Sequence, residues 1–144
     1  MPPYADIYVL TQSRTETTIS AFLDHFAPVR EETADDYSIP QHADSPHTVF
    51  RTAAEVVAYC CSHTSEPQSV YWRRVGDGDP AYAMVFFTSD GFLILGLSTD
   101  KSTAERYFAE LRTHAGSDIG YVTVESPPPE TAAEFRRFTH EPSA

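Results

Sequence analysis

Four short stretches carry residue types that do chemistry. "HADSPH" brings His42, Asp44 and His47 together, and imidazole with carboxylate is a donor set for zinc or iron. Its spacing matches no metal motif, and no rigid helix holds the donors in place. We read it as a polar loop and expect no metal. "GDGDP" spaces Asp77 and Asp79 like the first ligands of a calcium loop, but the other ligands of such a loop are missing. A turn is the reading there. Cys60 and Cys61 are adjacent, with only His63 nearby. A reactive thiol needs an electropositive setting, so buried, reduced thiols are expected. "YWRRV" places Trp72 and Arg74 on one strand face and Tyr71 and Arg73 on the other. An arginine–aromatic strand can hold a carboxylate, a phosphate or a protein hot spot. Trp72, Arg73 and Arg74 are therefore candidate ligand-binding residues.

"VFFTSDGFLILGLSTD" (85–100) reads as two strands and a turn, ending where a helix can begin. A phosphate cradle needs clustered glycines with a Lys and a Ser or Thr at fixed spacing. That pattern is absent, and Ser98 is not in a G-x-S-x-G elbow. Ser98 and Thr99 read as residues that cap or precede the next helix. Gly96, inside a strand, points to close approach by a bulky neighbour. No cofactor is expected. His25, His63, His114 and His140 fall near helix ends, where an imidazolium suits the C-terminal dipole.

The elements that must position these residues follow from periodicity. Strands are expected at 6–12, 69–75, 81–88, 92–97 and 119–125, the three in the middle forming a meander. The strand at 92–97 is apolar on both faces and is expected to be central. Helices are expected where Ile19, Phe22, Leu23 and Phe26 form one stripe, at 51–63, at 98–116 and near the C-terminus. Thr52 with Glu55, Ser102 with Glu105, and Thr131 with Glu134 have the spacing of capping boxes. The reading is a single α+β domain over 1–144, with an antiparallel or mixed five-stranded sheet covered by helices. An acidic, proline-containing loop spans about 28–48, within which "DYSIP" can pair as a brief edge strand. Its length marks it as functional or mobile.

Charge narrows the function classes. The chain carries 21 acidic and 10 basic residues, a net charge of −11. That opposes nucleic-acid binding, which draws its affinity from a basic face, and attachment to anionic membranes. No apolar run reaches the roughly 18 residues of a spanning helix, and the N-terminus lacks the features of a signal peptide. A soluble, cytoplasmic protein is expected. Acidity is concentrated early: Glu31, Glu32, Asp35, Asp36 and Asp44 lie in a stretch, 31–50, without Lys or Arg. Such a surface speeds encounter with a basic partner, and these five are the candidate partner-binding residues.

At "YAMVFFTSDGFLILGLS" and "GYVTVESPPPETAAEF", over roughly residues 69–138, the chain resembles small bacterial immunity-type proteins of polymorphic toxin systems. The resemblance implies a stoichiometric inhibitor that binds a cognate toxin domain and performs no chemistry, and the acidic segment adds the expectation that the domain is basic. The second reading is a small enzyme or ligand-binding domain that uses the arginine–aromatic strand and the histidine-containing loop. A pocket where Arg73, Arg74 and histidines converge would favour the second reading. A filled core with an acidic face would favour the first.

Overall fold

The computed structural model describes residues 4–124 and 126–140. The elements run β1 (Tyr4–Thr11), α1 (Glu16–Phe26), β2 (Arg30–Glu32), β3 (Tyr37–Ile39), β4 (Thr48–Phe50), α2 (Ala53–Ser62), β5 (Gln68–Arg74), β6 (Tyr82–Phe87), β7 (Leu93–Asp100), α3 (Ala104–Ala115), β8 (Gly120–Thr123) and α4 (Ala132–His140). The order β2-β5-β6-β7-β1-β8 makes one antiparallel sheet of six strands, and β3 pairs with β4 in a second, two-stranded sheet. The α+β class, the β5–β6–β7 meander and the inner place of β7 match the sequence reading.

The five-stranded count does not hold. The sixth strand, β2, lies inside the segment expected to be a loop. Its pairing places Glu31 opposite Arg73 and Glu32 opposite Trp72. Opposite charges across a ladder stabilise it, and a hydrophobic pattern cannot reveal such a strand. "DYSIP" does pair, but with 48–50 in the small sheet rather than with the main one.

Side-chain caps start three of the helices. Thr15 Oγ1 accepts from the Thr18 amide at 3.1 Å, Thr52 Oγ1 from Glu55 at 3.2 Å, and Thr131 Oγ1 from Glu134 at 3.1 Å. The expected Ser102–Glu105 box is replaced. Strand β7 continues through Asp100, so Ser98 and Thr99 belong to the sheet. The Asp100 carboxylate then accepts from the Ser102 amide and hydroxyl at 2.9 and 2.7 Å, closing a 3-10 turn ahead of α3. A charged acceptor outcompetes a hydroxyl at this position.

Helices pack on both faces of the sheet. Helices α1, α2 and α3 cover one, where Ile7, Val9, Phe22, Val56, Val85, Leu93, Leu95 and Leu111 are buried and Phe108 packs half-buried against them. Helix α4 covers part of the other, setting Phe135 and Ala132 against Tyr8, Leu10, Met84, Phe86 and Ile94. Tyr8 lies opposite Gly96 in the β1–β7 register. A Cβ on Gly96 would stand 3.0 Å from Tyr8 Cδ1 and 3.3 Å from Met84 Cε, so the glycine makes room for the ring.

One charged residue sits inside this frame. Arg14, 6% exposed, follows β1 directly. Its Nε donates to the Cys60 carbonyl at 3.0 Å, Nη1 to Thr88 and Phe92 at 2.6 and 3.0 Å, and Nη2 to His63 and Glu66 at 3.1 and 2.9 Å. A guanidinium has five N–H groups, and all five end on backbone carbonyls. Burial lowers its pKa from the ordinary arginine value, yet arginine stays protonated in proteins.

Two measurements of urea unfolding test this core. Arg14→Lys keeps the charge but cannot reproduce the planar fork, and the stranded carbonyls should cost about 3 kcal/mol or more. Leu95→Ala should cost about 2–5 kcal/mol. A loss below about half a kilocalorie at Leu95 would show that β7 is not the centre of the core.

Candidate functional site

An open groove of about 580 Å³ runs between α1, β2 and the start of α2. Amphipathic helices build its walls. Ile19 and Leu23 come from α1, Ala53, Ala54 and Val57 from α2, and the mostly buried Trp72 from β5. Three carboxylates line it, Glu16, Glu31 and Glu32, with one cation, Arg30.

These charges are not equivalent. Glu32 Oε1 accepts from the Tyr37 hydroxyl at 2.8 Å and from the Ala53 amide at 2.9 Å. It therefore ties the small sheet to the N-terminus of α2, where a negative charge suits the helix dipole. Burial, and then the bond to Glu32, push the Tyr37 phenol well above its usual pKa. Glu31 binds Arg73 across the strand pair, through Nε at 2.8 Å and through Nη2. Arg30 Nη1 reaches Asp24 and the Ala27 carbonyl, both at 3.2 Å. Glu16 stands in the exposed first turn of α1.

The structure thus brings Glu31, Glu32 and Trp72 to one groove, with Arg73 bonded to its rim. Asp35, Asp36 and Asp44 are exposed and do not line it. Asp36 borders a neighbouring polar hollow with Tyr37, Gln41, His42 and Ser69. Glu16 and the apolar floor were missed by sequence reasoning. The signal was present in the helix stripes, but a stripe does not reveal which of its residues stay at an opening.

The remaining candidates separate. Arg74 points its Nη1 at the Asp79 carbonyl, 2.7 Å away, and lines a different pocket. His42 and His47 lie exposed on the β3–β4 turn, whose backbone is held by His47 N–H to the Ile39 carbonyl at 2.9 Å. Among the described residues no group of three or more His, Cys, Asp or Glu is placed to hold a metal ion. Asp79 is occupied within the fold: Oδ1 accepts from the Asp100 amide at 3.2 Å and Oδ2 from the Thr103 hydroxyl at 2.9 Å. His63 closes α2, with Nδ1 2.8 Å from the Tyr59 carbonyl. His25 and His114 lie in the last turns of α1 and α3. The side chain of His140, and Glu125 at the expected end of the last strand, lie outside the described residues.

Among known proteins, the chain matches no family model, no curated protein and no solved structure.

Cys60 is buried and Cys61 half-buried, both as free thiols. Burial pushes the Cys60 thiol up to about 12, against the pull of the Arg14 charge. Burial and Glu16 raise Cys61 as well. A neutral buried thiol is a poor nucleophile. Native protein at pH 8 should therefore leave Cys60 unlabelled by a disulfide reagent on the timescale in which urea-unfolded protein reacts fully. The sign of the linkage follows from the raised value. The stabilising contribution is complete below the unfolded thiol pKa of 9.0 and is lost as the pH rises toward about 12. Rapid native-state labelling of Cys60 would contradict the packing of α2.

Proposed function

We propose that the protein is a non-catalytic binding protein of the immunity type, whose α1–β2–α2 groove receives a basic domain of a toxin. The observation that carries this is the groove itself, an apolar floor containing Trp72 beneath Glu16, Glu31 and Glu32. That combination suits lysine and arginine side chains. Their aliphatic stems cover apolar surface while their charged heads meet carboxylates. The net charge of −11 adds long-range attraction for the same partner. The groove is open rather than enclosed, which suits a protein surface better than a sequestered substrate. Among the described residues no helix is long and apolar enough to cross a membrane, in keeping with action in the bacterial cytoplasm.

The competing reading, an enzyme or ligand-binding site built from the arginine–aromatic strand and the histidine loop, loses its proposed convergence. Trp72 faces the groove, Arg73 pairs with Glu31, Arg74 turns to Asp79, and His42 borders another hollow.

Kinetic binding to a basic toxin domain, sought first among the products of neighbouring genes, tests the proposal. Glu16→Gln with Glu31→Gln should slow association about tenfold at low salt and flatten its salt dependence. Ala54→Arg, at an exposed helix position with good intrinsic propensity, should place a like charge in the partner's path and abolish binding. Unchanged association in both variants would move the interface away from the groove.

A further inference from the structure

A second pocket, of about 400 Å³, has a different charge balance, with arginines as well as acids on its walls. It lies where the end of α1, the β5–β6 turn and α3 meet, and is lined by His25, Arg74, Asp79, Arg106, Tyr107 and Glu110 among others. Two of the chain's ten basic residues face it. The fold sets them side by side. Arg74 Nη1 and the Tyr107 hydroxyl both donate to the Asp79 carbonyl, at 2.7 and 3.1 Å. The Arg106 guanidinium stacks on the Tyr107 ring, 4.7 Å from its centroid. Arg74, Tyr107 and Arg106 are thereby linked through one carbonyl and one ring.

The nearby acids are already engaged. Both Asp79 oxygens accept bonds from Asp100 and Thr103. Glu110 Oε1 lies 3.4 Å from His25 Nε2. Among the described residues neither Arg74 nor Arg106 forms a salt bridge. The turn is shaped around Arg74. Gly78, at φ +126, adopts a conformation that side chains rarely reach, and a Cβ there would stand 3.3 Å from Arg74 Nε. Two guanidiniums with forked donors and a pocket of small-ligand volume form a recognition set for a planar or tetrahedral oxyanion.

We propose that this pocket binds a small polyanion bearing carboxylate or phosphate groups, held between Arg74 and Arg106. This site is separate from the acidic groove and does not depend on the function proposed for it. In a chain of net charge −11, a ligand of like sign is bound only where local donors overcome the overall repulsion, so binding there reports on the pocket itself.

Titration of the full-length protein with inorganic pyrophosphate and with citrate, followed by amide chemical shifts at constant ionic strength, tests the proposal. Saturable shifts at the β5–β6 turn and the start of α3 are expected below about 1 mM, the affinity of a few charged hydrogen bonds. Response to pyrophosphate alone assigns a phosphate ligand, response to citrate alone a polycarboxylate, and response to both the shared oxyanion chemistry. Arg106→Gln, at an exposed position that the fold does not need, should weaken binding about tenfold. Arg74→Lys retains charge without the fork and should weaken it comparably. Arg112→Gln, whose guanidinium lies over Phe108 instead, should leave binding unchanged. Non-saturable shifts up to about 10 mM, far weaker than such bonds predict, or equal affinity in Arg106→Gln and the parent, would overturn the proposal.

Discussion

The buried guanidinium of Arg14 is the constraint on which the rest depends. Helix α2 ends at Ser62, and its last carbonyls need donors that the helix cannot supply. The β6–β7 hairpin has the same need at the Thr88 carbonyl, while the Phe92 carbonyl already accepts from the Thr88 amide. A single side chain, following β1, meets both needs and also reaches Glu66 ahead of β5. Burying a charge is costly unless it is fully hydrogen-bonded. Here the cost is offset by five carbonyl acceptors and by the Phe87 ring 5.0 Å away. The result fixes α2 relative to the sheet. Because α2 supplies one wall of the groove, the geometry of the acidic site traces back to a residue that does not line it.

The opposite face of the sheet is closed by different means. Helix α4 has little intrinsic hold, being short and following a proline-rich segment. Its first amides are bound by the Asp90 carboxylate at 2.8 and 3.2 Å. Burial alone would raise that carboxyl, but the bonds from Ala132, Thr88 and Ala133 outweigh it and leave the pKa below the usual aspartate value. Tyr8 completes the closure by donating to the Ser126 carbonyl at 2.8 Å. Its ring can lie there only because Gly96 has no side chain. A turn residue, a strand tyrosine and a glycine thus jointly decide where the C-terminal helix rests.

Much of this was legible in the sequence because it is local. Period-two alternation marked β5, continuous apolar character marked β7, an apolar stripe marked α1, and threonine caps marked α2 and α4. Gly96 announced a close contact, and Tyr8 proved to be the partner. What escaped the reading is non-local. Arg14 looks like an ordinary loop arginine until residues 46 to 78 positions away fold around it. Strand β2, with two glutamates and an arginine, has no apolar signature. It exists because Arg73 faces Glu31 in the folded chain. The candidate site was half visible for the same reason. Charge density pointed to Glu31 and Glu32, but only packing separates them from Asp35 and Asp44 and adds Glu16.

Glu32 divides the groove into parts with different freedom to diverge. Its Oε1 joins Tyr37 to the first turn of α2, so replacing it alters the scaffold along with the charge. Glu16 and Ala54 are exposed at the same opening, where their side chains face solvent rather than tie elements of the fold together. Substitution at those two positions changes the charge and shape of the opening while leaving the Glu32 bonds in place. The groove therefore combines one structurally tied anchor with positions free to vary, so its surface is easier to alter than its architecture.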